Sequence, residues 1–277
     1  MLEGFEQSAV LVRCGALFND KGAVGSGPIT MHVGNGGVGA SWGATDVGRV
    51  RSQNQDCFAV GLEGRLIVVA DGMGGHSAGE VASTWAVETL VDLVVDREAE
   101  TGPLHGDVLG EAFELAQRRL CRASMLESGF RGMGTTLVAG LVISDLLHLA
   151  HVGDVRAYLY RDGVLTQLTR DHSTVQMLVD SGELQPHEAL EHPQRNEVTQ
   201  ALGQGQNSAP STTEVVLQKG DRVLLCCDGL WSALRDDAIV DALRDHATPQ
   251  GCTKELITGA KIGGGLDNIT AVVYEHP

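Results

Sequence analysis

Basic residues are scarce. Twenty Lys and Arg against 36 Asp and Glu leave a net charge of −16 over 277 residues. A nucleic-acid surface wants clustered Lys and Arg, so that class of partner is excluded, and most of the acidity serves solubility and long-range repulsion. Long apolar runs are missing too. The best stretch, "TTLVAGLVISDLLHLAHV", is broken by Asp145, and nothing spans a bilayer. The first residues carry Glu3 and Glu6 and no basic opening, which makes a poor signal peptide. The six cysteines, at 14, 57, 121, 226, 227 and 252, show no C-x-x-C and no regular framework, which points to a reducing compartment. Adjacent Cys226 and Cys227 sit in an apolar run as small buried hydrophobes. The expectation is a soluble, cytoplasmic monomer.

Apolar content is ordinary, and the length suits one large domain or two small ones. Residues 1–39 are rich in glycine and weakly patterned, a flexible tail by composition. "GNGGVG" within it formally fits G-x-G-x-x-G, but no helix pattern follows as a dinucleotide site requires. Order improves after Ser41. "CFAVGLEGRLIVVA" reads as two strands around a tight turn at Glu63-Gly64. Ser77 and Glu80 have capping-box spacing ahead of a long helix. A second helix carries Leu109, Phe113, Ala116 and Leu120 on one face. A series of short β-rich runs follows, and its close turns predict an antiparallel sheet. Residues 171–208 are a polar insertion with one helical piece, "STVQMLVDSGEL". Two more strands, short helices and the strand "NITAVVYEH" close the chain. Strands in runs with helices in two groups predict an α+β layered sandwich.

Two of those strands end in a charge. "RLIVVADG" stops at Asp71-Gly72 and "RVLLCCDG" at Asp228-Gly229. Asp-Gly is commonly a hairpin turn, but a hairpin needs a strand straight afterwards, and both lead into helix-like sequence. Asp154 follows "LLHLAHVG", Asp267 precedes "NITAVV", and Asp56 precedes "CFAV". Charges at the mouths of buried strands are costly unless paired or bound to a cation. If these ends converge, they form an all-oxygen pocket suited to Mg²⁺ or Mn²⁺; otherwise they are solvated. His148 and His151 lie three apart in a strand and point to opposite faces, so they cannot chelate together. His76, on a glycine loop beside Asp71, is either a solvated loop residue or a proton donor.

The segments "GRVRSQNQDCFAV", "VADGMGGHSAGEVAS", "GMGTTLVAGLV", "LAHVGDVRAYLYRDGVLTQLTRDHS", "LLCCDGLWSAL" and "GGGLDNITAVVY" occur in that order. In them the chain resembles the metal-dependent serine/threonine protein phosphatases, the PPM or type 2C family, in its compact bacterial form. The resemblance spans about residues 41–276. It implies an α+β, four-layer αββα sandwich of two antiparallel sheets flanked by helices, with metals between the sheets at one end. The domain would run over 40–277, with a flap at about 171–208.

By the same resemblance Asp71, Asp228 and Asp267 hold one ion, and Asp56, Asp71 and the carbonyl of Gly72 hold a second. Asp154, with Asp228, holds a weaker third. The ions are Mn²⁺ or Mg²⁺. Arg51 matches the phosphate-binding arginine and His76 the general acid. The implied substrates are phosphorylated proteins, in opposition to a serine/threonine kinase. One departure is visible: Gln55 stands where many relatives carry Glu, which predicts weaker or altered metal binding. Two other readings remain, a phosphoprotein-binding module without catalysis and a hydrolase of small phosphate esters. All the matching aspartates are present, which disfavours the former. The catalytic residues alone do not decide the latter.

Overall fold

A computed structural model describes residues 11–14, 29–33, 39–75, 78–204 and 209–277, the first two stretches as backbone only. The chain runs through β1 (Leu11–Cys14), β2 (Ile29–Val33), β3 (Ala40–Asp46), β4 (Asp56–Gly61) and β5 (Leu66–Met73) to helices α1 (Ala78–Thr101) and α2 (Val108–Leu126). Next come β6 (Gly134–Thr135), β7 (Leu137–Ile143), β8 (Leu146–Val152), β9 (Arg156–Arg161) and β10 (Val164–Gln167), then α3 (Thr174–Asp180). The last part is β11 (Ser211–Val216), β12 (Arg222–Cys226), α4 (Asp228–Trp231), α5 (Asp236–Asp245), α6 (Pro249–Ile262) and β13 (Ile269–Glu275).

Two sheets form. One has the order β1-β4-β5-β7-β8-β11 with β6 beside β5; the other is β10-β9-β12-β13-β3-β2. The pairs are antiparallel, as the short turns predicted. Those turns use the left-handed region. Leu62, Glu63 and Gly64 all have positive φ between β4 and β5, and Asp162-Gly163 has φ of 52° and 83° between β9 and β10. Asp162-Gly163 is thus the hairpin that Asp71-Gly72 and Asp228-Gly229 are not.

Alternation along the strands divides the core. Phe58, Val60, Ile67 and Val69 meet Val223, Leu225, Val272 and Tyr274 between the sheets. The intervening residues Cys57, Ala59, Val68 and Ala70 turn outward onto Ala82, Ala86 and Leu90 of α1 and Phe113, Ala116 and Leu120 of α2. On the other side, Leu224, Cys226, Ala271 and Val273 pack on α5 and α6 through Ile239, Leu243 and Leu256. Each central strand is therefore covered on both faces, which is why "CFAV" and "LIVVA" read as unbroken apolar runs. Burying one such side chain contributes about 1.5–3 kcal/mol before entropy is counted. The result is the four-layer αββα sandwich expected.

Two stretches of the segment read as a flexible tail are edge strands, β1 on β4 and β2 on β3. The rest of residues 1–38 lies outside the described residues. Cys226 and Cys227 are buried and free, as expected. Cys57, by contrast, is disulfide-bonded, which the reading of a reducing compartment did not anticipate. No helix among the described residues is long and apolar enough to cross a membrane.

Candidate active site

Asp56 opens β4 and Asp71 lies in β5, directly opposite in the ladder. Asp228 is the first residue of α4, immediately after β12. Asp267 stands just before β13, and Asp154 in the turn between β8 and β9. Asp71, Asp154, Asp228 and Asp267 line one pocket of about 350 Å³ with Arg51 and Gly72. Asp56, with no solvent exposure, sits beneath it. The strand mouths converge.

The Asp-Gly pairs are explained by chain crossings. A Cβ on Gly72 would lie 2.0 Å from the carbonyl oxygen of Gly79 in the first turn of α1, and one on Gly229 would lie 2.0 Å from that of Asn268. At both positions a neighbouring backbone presses against the glycine, so no side chain fits, and the aspartate before it is held at the pocket. The "GTT" motif fixes the backbone of Asp71. Its carbonyl accepts from the Thr136 N–H at 2.9 Å and the Thr135 hydroxyl at 2.8 Å. Asn268 ties the loop carrying Arg51 to β13: its Oδ1 accepts from the Gln55 N–H, and its Nδ2 donates to the Val47 and Gln53 carbonyls.

A hydrogen-bonded chain ends on Asp56. Asn54 Nδ2 donates to Thr45 Oγ1 at 2.8 Å, Thr45 Oγ1 and Thr270 Oγ1 are 2.7 Å apart, and Thr270 Oγ1 donates to Asp56 Oδ2 at 2.5 Å. Each hydroxyl has one proton, so with Asp56 ionised the donors all point toward it. Sequence reasoning missed Thr45 and Thr270, which are 225 residues apart. Thr270 does lie in the quoted "DNITAVVY", on the face of β13 that alternation assigns to Asn268 as well.

Electrostatics set the pocket apart. Burial and then repulsion from the other carboxylates push Asp56 and Asp154 up to about 7 and raise Asp71 and Asp228. Arg51 is the nearby cation. Its Nη2 donates to Asp267 Oδ2 at 2.7 Å, and that contact raises its own value. At this exposure, 55% for the Arg51 side chain, an ion pair contributes only about 0–1 kcal/mol. Stability does not account for it.

Two carboxylate oxygens, Asp56 Oδ1 and Asp228 Oδ1, are buried with no hydrogen-bond partner. Each costs at least about 1–3 kcal/mol, and more when charged. Among the described residues no three acidic, His or Cys side chains are already gathered around one point. The bare oxygens and the crowding of like charge nonetheless fit hard dications, which take oxygen ligands. Gly72 lines the same pocket. His76 and Ser77, and with Ser77 the expected capping box, lie outside the described residues.

The segment expected as a flap, from Asp171, is held at both ends. Thr174 N–H donates to Glu197 O at 2.9 Å and Thr199 N–H to His172 O at 2.8 Å, and Leu202 bridges to Thr135. Its Asn196 and Val198 reach the pocket. At its base Arg156 makes a bidentate pair with Asp171, Nε to Oδ1 and Nη2 to Oδ2, and lies 3.7 Å over the Trp231 ring. The Trp231 N–H in turn donates to the Asp154 carbonyl at 3.0 Å. Neither Arg156 nor Trp231 was singled out in the sequence, although both flank quoted aspartates.

Known proteins share this arrangement of sequence and fold. The family described as Protein phosphatase 2C matches residues 47–256. The chain is 42% identical over 234 residues to the serine/threonine protein phosphatase PstP of Mycobacterium tuberculosis, covering 83% of this chain but only 44% of PstP. It is 38% identical over 232 residues to the protein phosphatase PhpP of Streptococcus pneumoniae, covering 83% of this chain and 94% of PhpP. Among solved structures, M. tuberculosis PstP/Ppp superposes with a TM-score of 0.78 at 40% identity, covering 86% of this chain and 98% of that one. The PstP catalytic domain in complex with two manganese ions gives 0.76 at 38% identity, with 86% and 98% covered.

Proposed function

The chain belongs to the protein phosphatase 2C family, and from that premise we propose that it hydrolyses phosphoserine and phosphothreonine in proteins with the help of divalent metal ions. The observation that carries the proposal is the pair of buried, unpartnered oxygens on Asp56 and Asp228, in a pocket that also presents Arg51. Asp71, Asp228 and Asp267 are assigned to one ion, Asp56, Asp71 and the Gly72 carbonyl to a second, and Asp154 with Asp228 to a weaker third. When bound, Mn²⁺ or Mg²⁺ supplies a water of lowered pKa as nucleophile and neutralises charge on the phosphoryl oxygens.

The chain's own residues do the rest. Arg51 stands at the mouth and presents a planar cation to phosphoryl oxygens once Asp267 is engaged elsewhere. Asn268 holds the Arg51 loop against β13, so the guanidinium arrives already oriented. His76 is assigned the proton transfer to the departing seryl or threonyl oxygen. Gln55 lines the same pocket and leaves it one carboxylate poorer than in relatives with Glu.

A protein substrate is favoured over small esters because the pocket opens sideways into a further cleft rather than closing around a phosphate. A module that only binds phosphoproteins is disfavoured because no metal-site aspartate is missing. The opposing activity is a serine/threonine kinase of the same cell; a deletion strain with no rise in phosphoserine or phosphothreonine would argue against that.

The direct test measures hydrolysis of p-nitrophenyl phosphate and a phosphothreonine peptide, with and without Mn²⁺, by wild type and Asp267→Asn. Turnover should require Mn²⁺ and fall roughly a hundredfold or more in the variant. Metal-independent turnover, or a fully active variant, would refute the mechanism. Phosphopeptide binding without turnover by the wild type would select the binding module.

A further inference from the structure

A cleft of about 280 Å³ continues from the carboxylate pocket, between the flap and the segment leading into β13. Asp154, Asn196, Asp228 and Asp267 line both cavities. Apolar groups from three parts of the chain meet in it: Leu190 from the flap, Trp231 from the end of α4, and Leu266 from the segment before β13. Leu190 and Leu266 are 62% and 72% exposed and belong to none of the core clusters. One exposed leucine is ordinary. Two in the walls of one cleft that shares residues with the carboxylate pocket form a surface built for something to cover.

The walls are fixed. Gly264 and Gly265 both have positive φ, and the Gly265 carbonyl accepts from Arg49 N–H at 2.7 Å, which holds the turn that presents Leu266. Trp231 is clamped by the Arg156 guanidinium and by its hydrogen bond to Asp154. Arg156 is itself neutralised by Asp171, so the floor has no free positive charge. Asp171 is paired with Arg156, and Asp154, Asp228 and Asp267 are assigned to the ions, so the cleft offers an occupant little free charge besides Arg195. An apolar side chain covers the leucines.

We propose that this cleft is a substrate subsite that takes an apolar side chain of the phosphorylated protein, near the phosphoserine or phosphothreonine. The inference rests on the phosphatase reading above. Its occupant follows from continuity: a residue whose phosphate fills the carboxylate pocket brings its chain neighbours to the shared walls. An extended chain advances about 3.3–3.6 Å per residue, so the apolar residue lies within about three positions.

The test uses phosphothreonine peptides identical except for Leu, Ser or Lys at each flanking position in turn, with p-nitrophenyl phosphate as a reference, in the presence of Mn²⁺. Wild type should prefer Leu to Ser at one position by about tenfold in kcat/KM, the low end of what burying a leucine supplies. Leu266→Ser and Leu190→Ser, both at exposed positions, should each reduce that ratio to about fivefold or less, because one of the three apolar groups is gone. Equal use of Leu and Ser at every position, a preference for Lys, or a Leu preference that both variants retain would overturn the subsite. Wild type that hydrolyses neither ester nor peptide would overturn the phosphatase reading, and the subsite with it.

Discussion

Thr270 donates its hydroxyl proton to Oδ2 of Asp56 and leaves the other oxygen, Oδ1, buried without a hydrogen bond. Hydrogen bonds behind a metal ligand, the role proposed for Asp56, commonly control metal affinity by about 10–100-fold. Thr270→Val keeps the shape and removes the donor. Calorimetric titration with Mn²⁺ should show affinity lowered by about 10-fold or more, with Thr270→Ser close to wild type. An unchanged affinity in the valine variant would mean that Thr270 is only a packing residue of β13. Arg51 belongs to the same scale. Its half-exposed pair with Asp267 adds little stability, but it parks the guanidinium at the pocket mouth.

At the scale of elements, the flap joins the sandwich through a stacked pair of imidazoles. His151 at the end of β8 and His172 at the start of the flap have ring centroids 4.7 Å apart and an interplanar angle of 16°. His151 Nε2 contacts the Arg170 carbonyl, while His172 Nδ1 accepts from Gly153 N–H and its Nε2 contacts Ser211 Oγ. These bonds suit neutral rings. Burial lowers both values, and the neighbouring His151 helps bring His172 down to about 4, against a small opposing pull from Asp171. Above the unfolded value of about 6.5 both states are neutral and nothing changes with pH. As pH falls from there toward about 4, the unfolded chain takes up protons that the folded ring refuses, so this contribution to stability is lost. The buried carboxylates, with raised values, act in the opposite sense in the metal-free protein. His172→Asn keeps an acceptor for Gly153 N–H and removes the titration. Urea midpoints of metal-free protein should therefore decline more on acidification, or rise less, in wild type than in the variant. Parallel pH profiles would sink the idea.

For the whole molecule, the candidate ligands and, among the residues whose side chains are described, the core clusters lie beyond residue 40, and β1 and β2 sit at the two sheet edges. A chain beginning at Gly39 should fold and keep Mn²⁺-dependent turnover, but melt at a lower temperature because β3 and β4 lose their edge partners. Loss of the folded state on that truncation would make the first segment part of the core. Much of this organisation was legible beforehand. Local period and turn chemistry marked the central strands and the two main helices, and the aspartates at strand mouths stood out because a charge there needs a reason. What pairing adds was not legible. Of three Asp-Gly pairs, one proved a hairpin, and two are places where another backbone crosses the glycine. That distinction depends on Gly79 and Asn268, which arrive from elsewhere. The order of the second sheet, with β13 between β12 and β3, joins the two ends of the domain and left no local trace. Thr45 and Thr270 likewise become partners only through the register of β3 on β13. The sequence by itself determined which residues carry charge, which segments are buried and which family the motifs resemble, because those depend on composition and short-range period. Tertiary structure alone decided which carboxylate oxygens lose their hydrogen-bond partners, which cation faces them and where the pocket opens, because burial and close approach arise only when distant strands pack.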